Sequence, residues 1–526
     1  MSQGPRSPFP LTAWSWSGRR VARKRSPAAA ADVCLIVEGT YPYVAGGVSG
    51  WVHALIRGLP ELSFHLLALL PPGQKLQPRY ELPGNIAGIT HLFLAPPRGD
   101  RGGRRLPLTL FDALELDLYQ FQVGGGLETL RSLLQTLSPY RGSLDLGELL
   151  NSRPAWELLL RLYDRLLPKG PFLDFFWTWR YLAGNLLTLL ACELPQARTY
   201  HAVSTGYAGL LLARAHLESQ RPVIVCEHGI YTNERRIEIT MADWLYEDRR
   251  SGFQLQPGSN DCRKLWIDAF QSYSKACYQA CDQIITIYGG NQNFQKADGA
   301  DPGRMRVIPN GIDWRHYETL DSDKGTRPPT VALIGRVVPI KDIKSFIQAC
   351  AMLRQSLPHA RALIMGPADE DATYFAECQG MIRHLRLGDM VTFTGRVDLR
   401  NYLGRIDVNV LTSISEGQPL VILEAGAAGV PTVATDVGAC REMIEGMPDE
   451  NPPLGPGGAV TRVANPAETA DQLFRLLTQP SWWQQCSQAM RQRVRIYYDQ
   501  DILTQTYRNL YTDLCQRSSI APGVSN

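Results

Sequence analysis

The sequence predicts an α/β protein of two domains, each a doubly wound parallel sheet flanked by helices. Its 526 residues are too many for one ordinary hydrophobic core, and the 44% of apolar residues are enough to fill two. Short apolar, β-branched runs alternate with segments of helical periodicity, which is typical of doubly wound sheets. A polar stretch that ends in proline, residues 318–329, separates the two series of elements, and we expect the linker there.

Charge and cysteine usage narrow the possible functions. A net charge of +3, with neither a base-reading motif nor an interleaved basic and aromatic repeat, indicates no nucleic-acid partner. The 11 cysteines are scattered and several lie inside apolar runs, which is typical of buried thiols in a reducing, cytoplasmic compartment. Cys277 and Cys281 lie one helical turn apart without a second ligand pair nearby, so the spacing favours helix packing over a metal site.

The first 30 residues are rich in Pro, Ser and Arg, and we predict a disordered basic tail at 1–30. No long apolar stretch follows its arginine pair, so the tail lacks the pattern of an export signal. Its basic cluster could bind the anionic inner face of the membrane, or it could be solvated.

The first domain is predicted to span residues 31–317 and to open with a strand, a glycine-rich loop and a helix. The strand covers 33–37, and apolar residues at helical spacing begin at residue 48. Gly46 and Gly47 in the loop would let backbone N–H groups approach an anion or a sugar, although a packing turn would use the same glycines.

Residues 95–198 interrupt this alternation and are predicted to be a mostly helical insertion. The span 172–194 is crowded with aromatic and aliphatic side chains. Asp174, Arg180 and Glu193 make it a poor transmembrane helix, so we interpret it as an amphipathic or buried helix. It could form an acceptor or partner surface, or it could be extra core.

The alternation returns at 202–216 and 222–227, and a polar cluster follows the second of these segments. His228 lies at the carboxyl end of the predicted strand, where open α/β sheets bind their ligands. It could hydrogen-bond a sugar hydroxyl, and the polar cluster after it favours this interpretation over a structural histidine.

The second domain, predicted at 330–498, opens with a strand, a Gly-Arg turn and a helix. Arg336 and Lys341 are five positions apart across this turn, so both can point at one diphosphate. A nucleotide that leaves a sugar gains negative charge, and two cations placed there stabilise the transition state more than the ground state. The acids at 369–371 open a helix, where we expect them to cap N–H groups rather than to bind a metal.

Residues 415–439 form a predicted loop, helix and strand with two carboxylates eight positions apart. Glu416 lies in the loop and Glu424 on the second helical turn, where both can accept hydrogen bonds from sugar hydroxyls. Unpaired N–H groups at the helix start, residues 417–420, suit a phosphate. Pro419 is expected in the first helical turn, because its missing N–H would have no partner there.

These segments, in this order, resemble the family 4 retaining glycosyltransferases of the GT-B fold, whose signatures include Glu-x7-Glu and Gly-Arg-x4-Lys. The resemblance implies two Rossmann-like domains facing each other across a cleft, a donor on the second domain, and a last helix within 499–526 that crosses back to the first domain. It implies no metal and no cofactor apart from the donor. The catalytic residues that it implies are Arg336, Lys341, Glu416 and His228. The donor-binding residues that it implies are Gly46, Gly47, Gly335, Gly417, Pro419, Leu420 and Glu424, with Arg235, Arg236 and Glu238 on the acceptor side.

Two places depart from the family pattern. Gln418 and Pro419 stand where many members have an aromatic residue and glycine, and Asp342 stands where glycine is frequent. These departures concern the details of two loops.

Segments 38–51 and 227–232 carry a closer resemblance, to the glycosyltransferases that build the Pel exopolysaccharide of biofilms. It implies a cytoplasmic hexosyltransferase, peripheral at the inner membrane if its tail binds there, that uses a UDP-sugar. It also implies a growing polysaccharide as acceptor and an inner-membrane polysaccharide export complex as partner.

Three alternatives stay open at this point: a GT-B sugar-nucleotide epimerase, a non-catalytic scaffold subunit of the export complex, and a transferase that acts on a lipid-linked or small acceptor. Neither the transferred sugar nor the acceptor can be deduced from the motifs, because hydroxyl selectivity depends on loop geometry.

Overall fold

The fold is described from a computed structural model, in which residues 30–94, 106–240, 261–318 and 327–520 are described. Parts of four predicted segments lie outside the described residues. These parts are the basic tail up to residue 29, the insertion at 95–105, the linker at 319–326 and the chain end at 521–526.

The first domain is built on a parallel sheet of seven strands in the order β3-β2-β1-β4-β5-β6-β7. Its strands are β1 Ala31–Glu38, β2 Phe64–Leu70, β3 Ile86–Phe93, β4 Ala197–Ala202, β5 Val223–Glu227, β6 Gln283–Thr286 and β7 Met305–Val307. The central strands β1 and β5 are nearly continuous apolar runs that are buried along most of their length, as expected where helices cover both faces of a sheet.

Helices cover this sheet and form the insertion between β3 and β4. They are α1 Gly47–Gly58, α2 Leu108–Gln122, α3 Leu127–Leu137, α4 Leu146–Asn151, α5 Arg153–Leu166, α6 Phe172–Ala191, α7 Tyr207–Ser219, α8 Tyr231–Thr240, α9 Cys262–Ala280 and α10 Asn291–Ala297. The short helix α11, Arg315–Glu318, follows them and packs against the second domain. The insertion helices α2 to α6 share one apolar core with α7 and α9. The insertion is therefore part of the first domain and not a separate unit.

Helix α6 buries one face and exposes Leu173, Trp177 and Tyr181 on the other. Within the described part of the chain, no helix is both long and apolar enough to cross a membrane. Helix α6 is thus an amphipathic helix that packs on the domain core.

Strand β4 differs from its predicted position. It occupies Ala197–Ala202, so it starts inside the range predicted for the insertion. This strand contains several polar residues, so a search for apolar runs does not find it. Thr199 and His201 are nevertheless fully buried. Burial is possible because the Thr199 hydroxyl donates to the carbonyl of Pro222 at 2.9 Å, and a ring nitrogen of His201 bonds the Tyr511 hydroxyl at 2.6 Å.

The second domain is built on a parallel sheet of six strands in the order β10-β9-β8-β11-β12-β13. Its strands are β8 Thr330–Ile334, β9 Arg361–Met365, β10 Val391–Gly395, β11 Val408–Leu411, β12 Thr432–Thr435 and β13 Gly458–Thr461. Its helices are α12 Ile343–Ser356, α13 Ala372–His384, α14 Arg400–Leu403, α15 Leu420–Ala427, α16 Cys440–Glu445, α17 Pro466–Thr478 and α18 Pro480–Tyr497. The predicted fold class, two doubly wound domains, is confirmed.

The chain returns to the first domain through helix α19, Gln500–Ile520. Ile312 and the end of α18 mark the crossing, since the Ile312 N–H donates to the Tyr498 carbonyl at 3.0 Å and the Gln500 N–H donates to the Ile312 carbonyl at 3.1 Å. Tyr507 and Tyr511 on α19 then enter the apolar core beneath α1 and β1. The two crossings between the domains therefore lie side by side.

Candidate active site

A cavity of about 730 Å³ lies between the two domains. Loops at the carboxyl ends of parallel strands line it, which is where doubly wound sheets bind ligands. The first domain contributes Gly46, Gly47 and His228, and the second domain contributes Gln418 and Leu420. The fold thus brings four of the predicted site residues to this cavity, and adds Gln418. The other predicted catalytic and donor-binding residues are not among those that line it: Gly335, Arg336, Lys341, Glu416, Gly417, Pro419 and Glu424.

The glycine loop after β1 leaves space at the wall of this cavity. A Cβ added to Gly46 or Gly47 would meet no atom within 4 Å. Gly46 is the N-cap of α1, and no side chain caps the first turn of that helix. The N–H groups of the first turn are therefore available to a bound anion or hydroxyl.

Lys341 and Glu416 form the most enclosed ion pair near the predicted diphosphate site. Lys341 Nζ lies 2.5 Å from Glu416 Oε1, and the Ser413 hydroxyl donates to the same oxygen at 2.5 Å. The two side chains are 17% and 11% exposed, so water screens the pair only partly. Gly335 lies beside it, because an added Cβ there would be 3.6 Å from the Lys341 Cε atom.

Asp342, a departure from the family pattern, has a local explanation. Its φ of 43° and ψ of 53° are left-handed, a conformation that asparagine and aspartate tolerate better than most residues. Its carboxylate accepts from the N–H of Ser345 at 3.2 Å and from the Ser345 hydroxyl at 2.5 Å, which caps α12. The residue therefore keeps the turn that places Lys341.

Arg336 pairs with a different carboxylate from Lys341 in this structure. Its Nη1 atom lies 2.5 and 2.8 Å from the two carboxylate oxygens of Glu370. Both side chains of the Arg336–Glu370 pair are more than half exposed. Like Lys341 and Glu416, Arg336 is not among the residues that line the cavity. The two predicted cations thus have separate partners, Glu370 for Arg336 and Glu416 for Lys341.

The acidic stretch 369–371 has two structural roles. Asp371 caps α13 by accepting from the N–H of Tyr374 at 2.9 Å, which confirms the capping prediction for that residue. Glu370 pairs with Arg336 instead. Across the described residues, no three His, Cys, Asp or Glu side chains are grouped so that they could hold a metal ion.

Helix α15 starts one residue later than predicted. Pro419 is its N-cap and has an extended conformation, with φ −74° and ψ 103°. Pro419 thus ends the loop rather than beginning the helix, and Leu420 is the first helical residue. Gly429, with φ 76°, follows the last turn and ends the helix.

Glu424 lies on the second turn of α15, behind the cavity wall. The Tyr317 hydroxyl donates to its carboxylate at 3.3 Å, and Tyr317 itself lines the cavity. Burial raises the pKa of Glu424, and the Tyr317 hydrogen bond opposes that rise. Burial and the nearby Glu424 carboxylate raise the pKa of Tyr317, so its hydroxyl stays protonated and able to donate.

His228 is a neutral imidazole at neutral pH. Burial lowers the pKa of His228 to about 4. Its ring packs edge to face on Trp51, with centroids 4.6 Å apart. The preceding Glu227 is fully buried and accepts hydrogen bonds from Thr205, Tyr278 and Gln295, which anchors the strand end that carries His228.

Three contacts join the domains around the cavity. Gly417 lies against the first domain, because an added Cβ there would be 2.9 Å from the His228 carbonyl oxygen. The Gln418 side chain accepts from the Asn310 N–H at 2.7 Å and donates to the Asn310 carbonyl at 3.0 Å. The Glu442 carboxylate accepts from the N–H groups of two first-domain glycines, Gly289 at 3.1 Å and Gly290 at 3.3 Å.

The residues assigned to the acceptor side lie on α8 and do not line the cavity. Arg235 pairs with Glu238 at 2.7 Å, and its guanidinium lies 5.0 Å from the Tyr231 ring. Arg236 donates to the Asn233 side chain at 2.7 Å.

Several lining residues were not predicted from the sequence. Among them are Trp51, Tyr317, Arg400 and Tyr507. Trp51 lies one helical turn after Gly47, so helix periodicity from the glycine loop could have indicated it. Tyr507 comes from the last helix, and no local pattern connects it to a cavity formed by residues so distant in sequence.

Two family models match the chain. One, described as a domain of unknown function, DUF3492, matches residues 31–303, which is more than half of the chain. The chain belongs to the DUF3492 family. The other model, described as glycosyl transferases group 1, matches residues 328–479, so this DUF3492 protein carries a group 1 glycosyltransferase domain as its second domain.

Curated relatives of this DUF3492 protein include two bacterial transferases. D-inositol 3-phosphate glycosyltransferase 2 of Catenulispora acidiphila is 28% identical over 229 residues, 41% of this chain and 49% of the relative. The MMP α-(1→4)-mannosyltransferase of Mycolicibacterium hassiacum is 24% identical over 293 residues, 54% of this chain and 64% of the relative. The matches therefore span only about half to two-thirds of the length of these relatives.

Solved structures with a similar fold cover nearly the whole DUF3492 protein. Anabaena HepE in complex with UDP and glucose has a TM-score of 0.53 at 14% identity, covering 92% of this chain and 99% of that one. Sucrose-phosphate synthase of Thermosynechococcus elongatus has a TM-score of 0.55 at 17% identity, with the same 92% and 99% coverage. These likenesses establish the GT-B fold.

Proposed function

We propose that this protein is a retaining, metal-independent glycosyltransferase that moves a hexose from a UDP-sugar to a growing exopolysaccharide of the Pel type. The observation that carries the proposal is the centre at the domain boundary. There the Lys341–Glu416 pair is followed directly by Gly417, which packs on the His228 carbonyl. A sugar diphosphate in the cleft would have a cation, a carboxylate and a neutral imidazole nearby.

The arrangement supports a reaction without a protein nucleophile. The bond from the sugar C1 to the diphosphate oxygen breaks, and the acceptor oxygen bonds to C1 on the same face, so the configuration is retained. The acceptor hydroxyl gives its proton to the departing phosphate oxygen. UDP leaves with increased negative charge, which Lys341 and Arg336 stabilise in place of a metal ion.

Arg336 would have to exchange partners when the donor binds. Its pair with Glu370 is more than half exposed, and such surface pairs contribute only about 0–1 kcal/mol. A diphosphate brings more charge than one carboxylate and accepts hydrogen bonds from guanidinium in a bidentate geometry. We therefore assign Glu370 as the partner that holds Arg336 until a donor arrives.

The two glutamates have separate roles in this proposal. Glu416 orients the hydroxyls of the transferred sugar, since its second oxygen is not taken by Lys341 or Ser413. Glu424, which lies behind the cavity wall and accepts from the Tyr317 hydroxyl, holds the ribose. His228 donates or accepts one hydrogen bond as an uncharged ring, because its pKa is lowered to about 4.

The fold neighbours and relatives are consistent with this donor class. HepE structures contain UDP with glucose and UDP-glucose, and the curated relatives transfer sugars according to their names. By the resemblance of its glycine-loop and 227–232 segments, we further propose that the protein works in the cytoplasm beside an inner-membrane polysaccharide export complex.

Calorimetric titration of the full chain with UDP, GDP, ADP and their glucose conjugates tests the donor assignment. We expect selective binding of UDP and UDP-glucose, and loss of that binding in Arg336→Ala. Arg354→Ala is a matched control, because Arg354 also pairs with a surface carboxylate, Asp389, in the same domain. If the wild-type chain binds no nucleotide, or if both variants bind UDP like wild type, the proposed donor site is wrong.

A further inference from the structure

A second cavity adjoins the one between the domains. It has a volume of about 570 Å³, and every residue that lines it belongs to α1 or α19. The two cavities share Ala54, Gln500 and Thr504 in their walls. They therefore form one groove along α1, a helix of 12 residues with a length of about 18 Å.

The groove is open where α1 carries small residues and closed where the two helices touch. A Cβ added to Gly50 would meet no atom within 4 Å, whereas one added to Gly58 would lie 2.7 Å from the Thr504 side chain. Arg508 fixes this contact by donating to the Gly58 carbonyl at 2.8 Å. The spacing of α1 and α19 is therefore held by a direct contact and a hydrogen bond beside the open groove.

The chemistry of the lining changes along the groove. The part next to His228 is aromatic and apolar, with Trp51, Leu503 and Tyr507. In the second cavity, all lining residues except Ala54 and Gly58 have polar or charged side chains, among them His53, Arg57 and Gln505. An acyl chain would need an apolar path throughout, and the second cavity does not provide one.

A carbohydrate chain fits this change in lining. Sugar rings have apolar faces that pack on aromatic side chains, and their hydroxyls donate to and accept from planar polar groups such as those of Arg and Gln. Together the two cavities exceed the space of a single donor and continue to the surface of the first domain, so several sugar units could lie in line beyond the reaction centre.

We infer that the groove between α1 and α19 binds the acceptor as an oligosaccharide chain, with its growing end beside His228 and its preceding units running past Ala54 to Arg57. This inference rests on the proposed function, because it assigns the acceptor half of the same reaction. Helix α19 then has two roles: it returns the chain to the first domain, and it forms one wall of the acceptor site.

Substitutions at Ala54 test the groove, because this residue lines both cavities at their junction. Ala54→Trp fills the junction, and Ala54→Ser is the matched control that keeps it open. The full-length chains are titrated calorimetrically with UDP and, both with and without UDP, with hexose and N-acetylhexosamine oligosaccharides of increasing length. Arg57→Ala, at an exposed position, is a second variant that leaves the fold intact.

We expect affinity to rise at least about tenfold from the single sugar to the longer chains, which corresponds to about 1.4 kcal/mol. Ala54→Trp should lower the affinity for the chain by about tenfold or more, Arg57→Ala should lower it severalfold, and Ala54→Ser should match wild type. UDP affinity should be unchanged in all three. Far-UV circular dichroism like that of wild type shows that the variants are folded, whether or not UDP binds.

Chain affinity that does not grow with length, or equal chain binding by Ala54→Trp and wild type, would overturn the inference. Binding of a polyprenyl diphosphate-linked sugar that depends on Ala54, with no oligosaccharide binding, would make the groove a lipid site and would also overturn it. Failure of the proposed function looks different: the wild-type chain would bind no UDP, while Ala54-dependent oligosaccharide binding would still support the groove.

Discussion

Replacing Lys341 by Met removes the one predicted catalytic cation that the structure places in an enclosed ion pair. Its ammonium lies 2.5 Å from Glu416 and is only 17% exposed at the side chain. At an effective dielectric constant of about 20, a unit charge about 4 Å from another contributes about 4 kcal/mol. If the departing diphosphate feels a comparable interaction, Lys341→Met should lower kcat by about 10²–10³-fold, since 1.4 kcal/mol corresponds to about a factor of ten.

The assay is UDP release from a UDP-sugar, measured at saturating donor, with and without an oligosaccharide acceptor. Lys344→Met is the matched control, because Lys344 lies three residues further along and pairs at 2.7 Å with Glu377 on the exposed surface. The control should keep wild-type turnover. If Lys341→Met stays within about threefold of wild type, the assignment of Lys341 to the leaving group is refuted.

Three further predictions concern the same cleft. Burial lowers the pKa of His228 from 6.5 to about 4, so the contribution of the neutral ring to the free energy of unfolding is complete above about pH 6.5 and is lost as the pH falls towards 4. Between these pH values, the free energy of unfolding measured in urea should depend less on pH in His228→Gln than in wild type. Gln418→Ala removes two hydrogen bonds to the Asn310 backbone and should lower the free energy of unfolding by about 1–3 kcal/mol, which a lower Tm would show. An unchanged Tm would mean that other contacts hold the two domains together. Gly438→Ala should abolish turnover, because an added Cβ would lie 2.2 Å from the Glu416 carbonyl oxygen at a φ of 55°; normal kcat would show that this loop can shift without harm.

Much of the fold could be predicted because its signals are local. The apolar run of β1, the glycine loop after it and the helix from Gly47 follow one another within a few residues, and the same holds for β11, Glu416 and α15. Periodicity and turn chemistry depend on neighbouring residues, so they can be recognised in the sequence. Strand β4 was misplaced because its burial depends on partners such as Pro222 and Tyr511, which no local pattern contains.

The candidate site was only partly predictable for the same reason. Residue type and spacing indicated Lys341, Glu416 and His228. They did not indicate which carboxylate pairs with Arg336 and which with Lys341. Arg336 pairs with Glu370, 34 positions away, and that choice depends on how two loops of the second domain approach each other. The contact of Gln418 with Asn310 likewise exists only because the two domains meet there.

The sequence by itself determined the two doubly wound domains, the strand ends that carry polar residues, and the identity of the charged groups near the predicted diphosphate site. These follow from the chemistry of short segments, in which each residue is constrained by its neighbours along the chain. Only the tertiary structure decided that α19 supplies one wall of the groove along α1, that Tyr507 reaches the cavity beside Trp51, and that Arg336 and Lys341 have different partners. These features arise from contacts between segments far apart in sequence, and such contacts are set by the packing of whole elements.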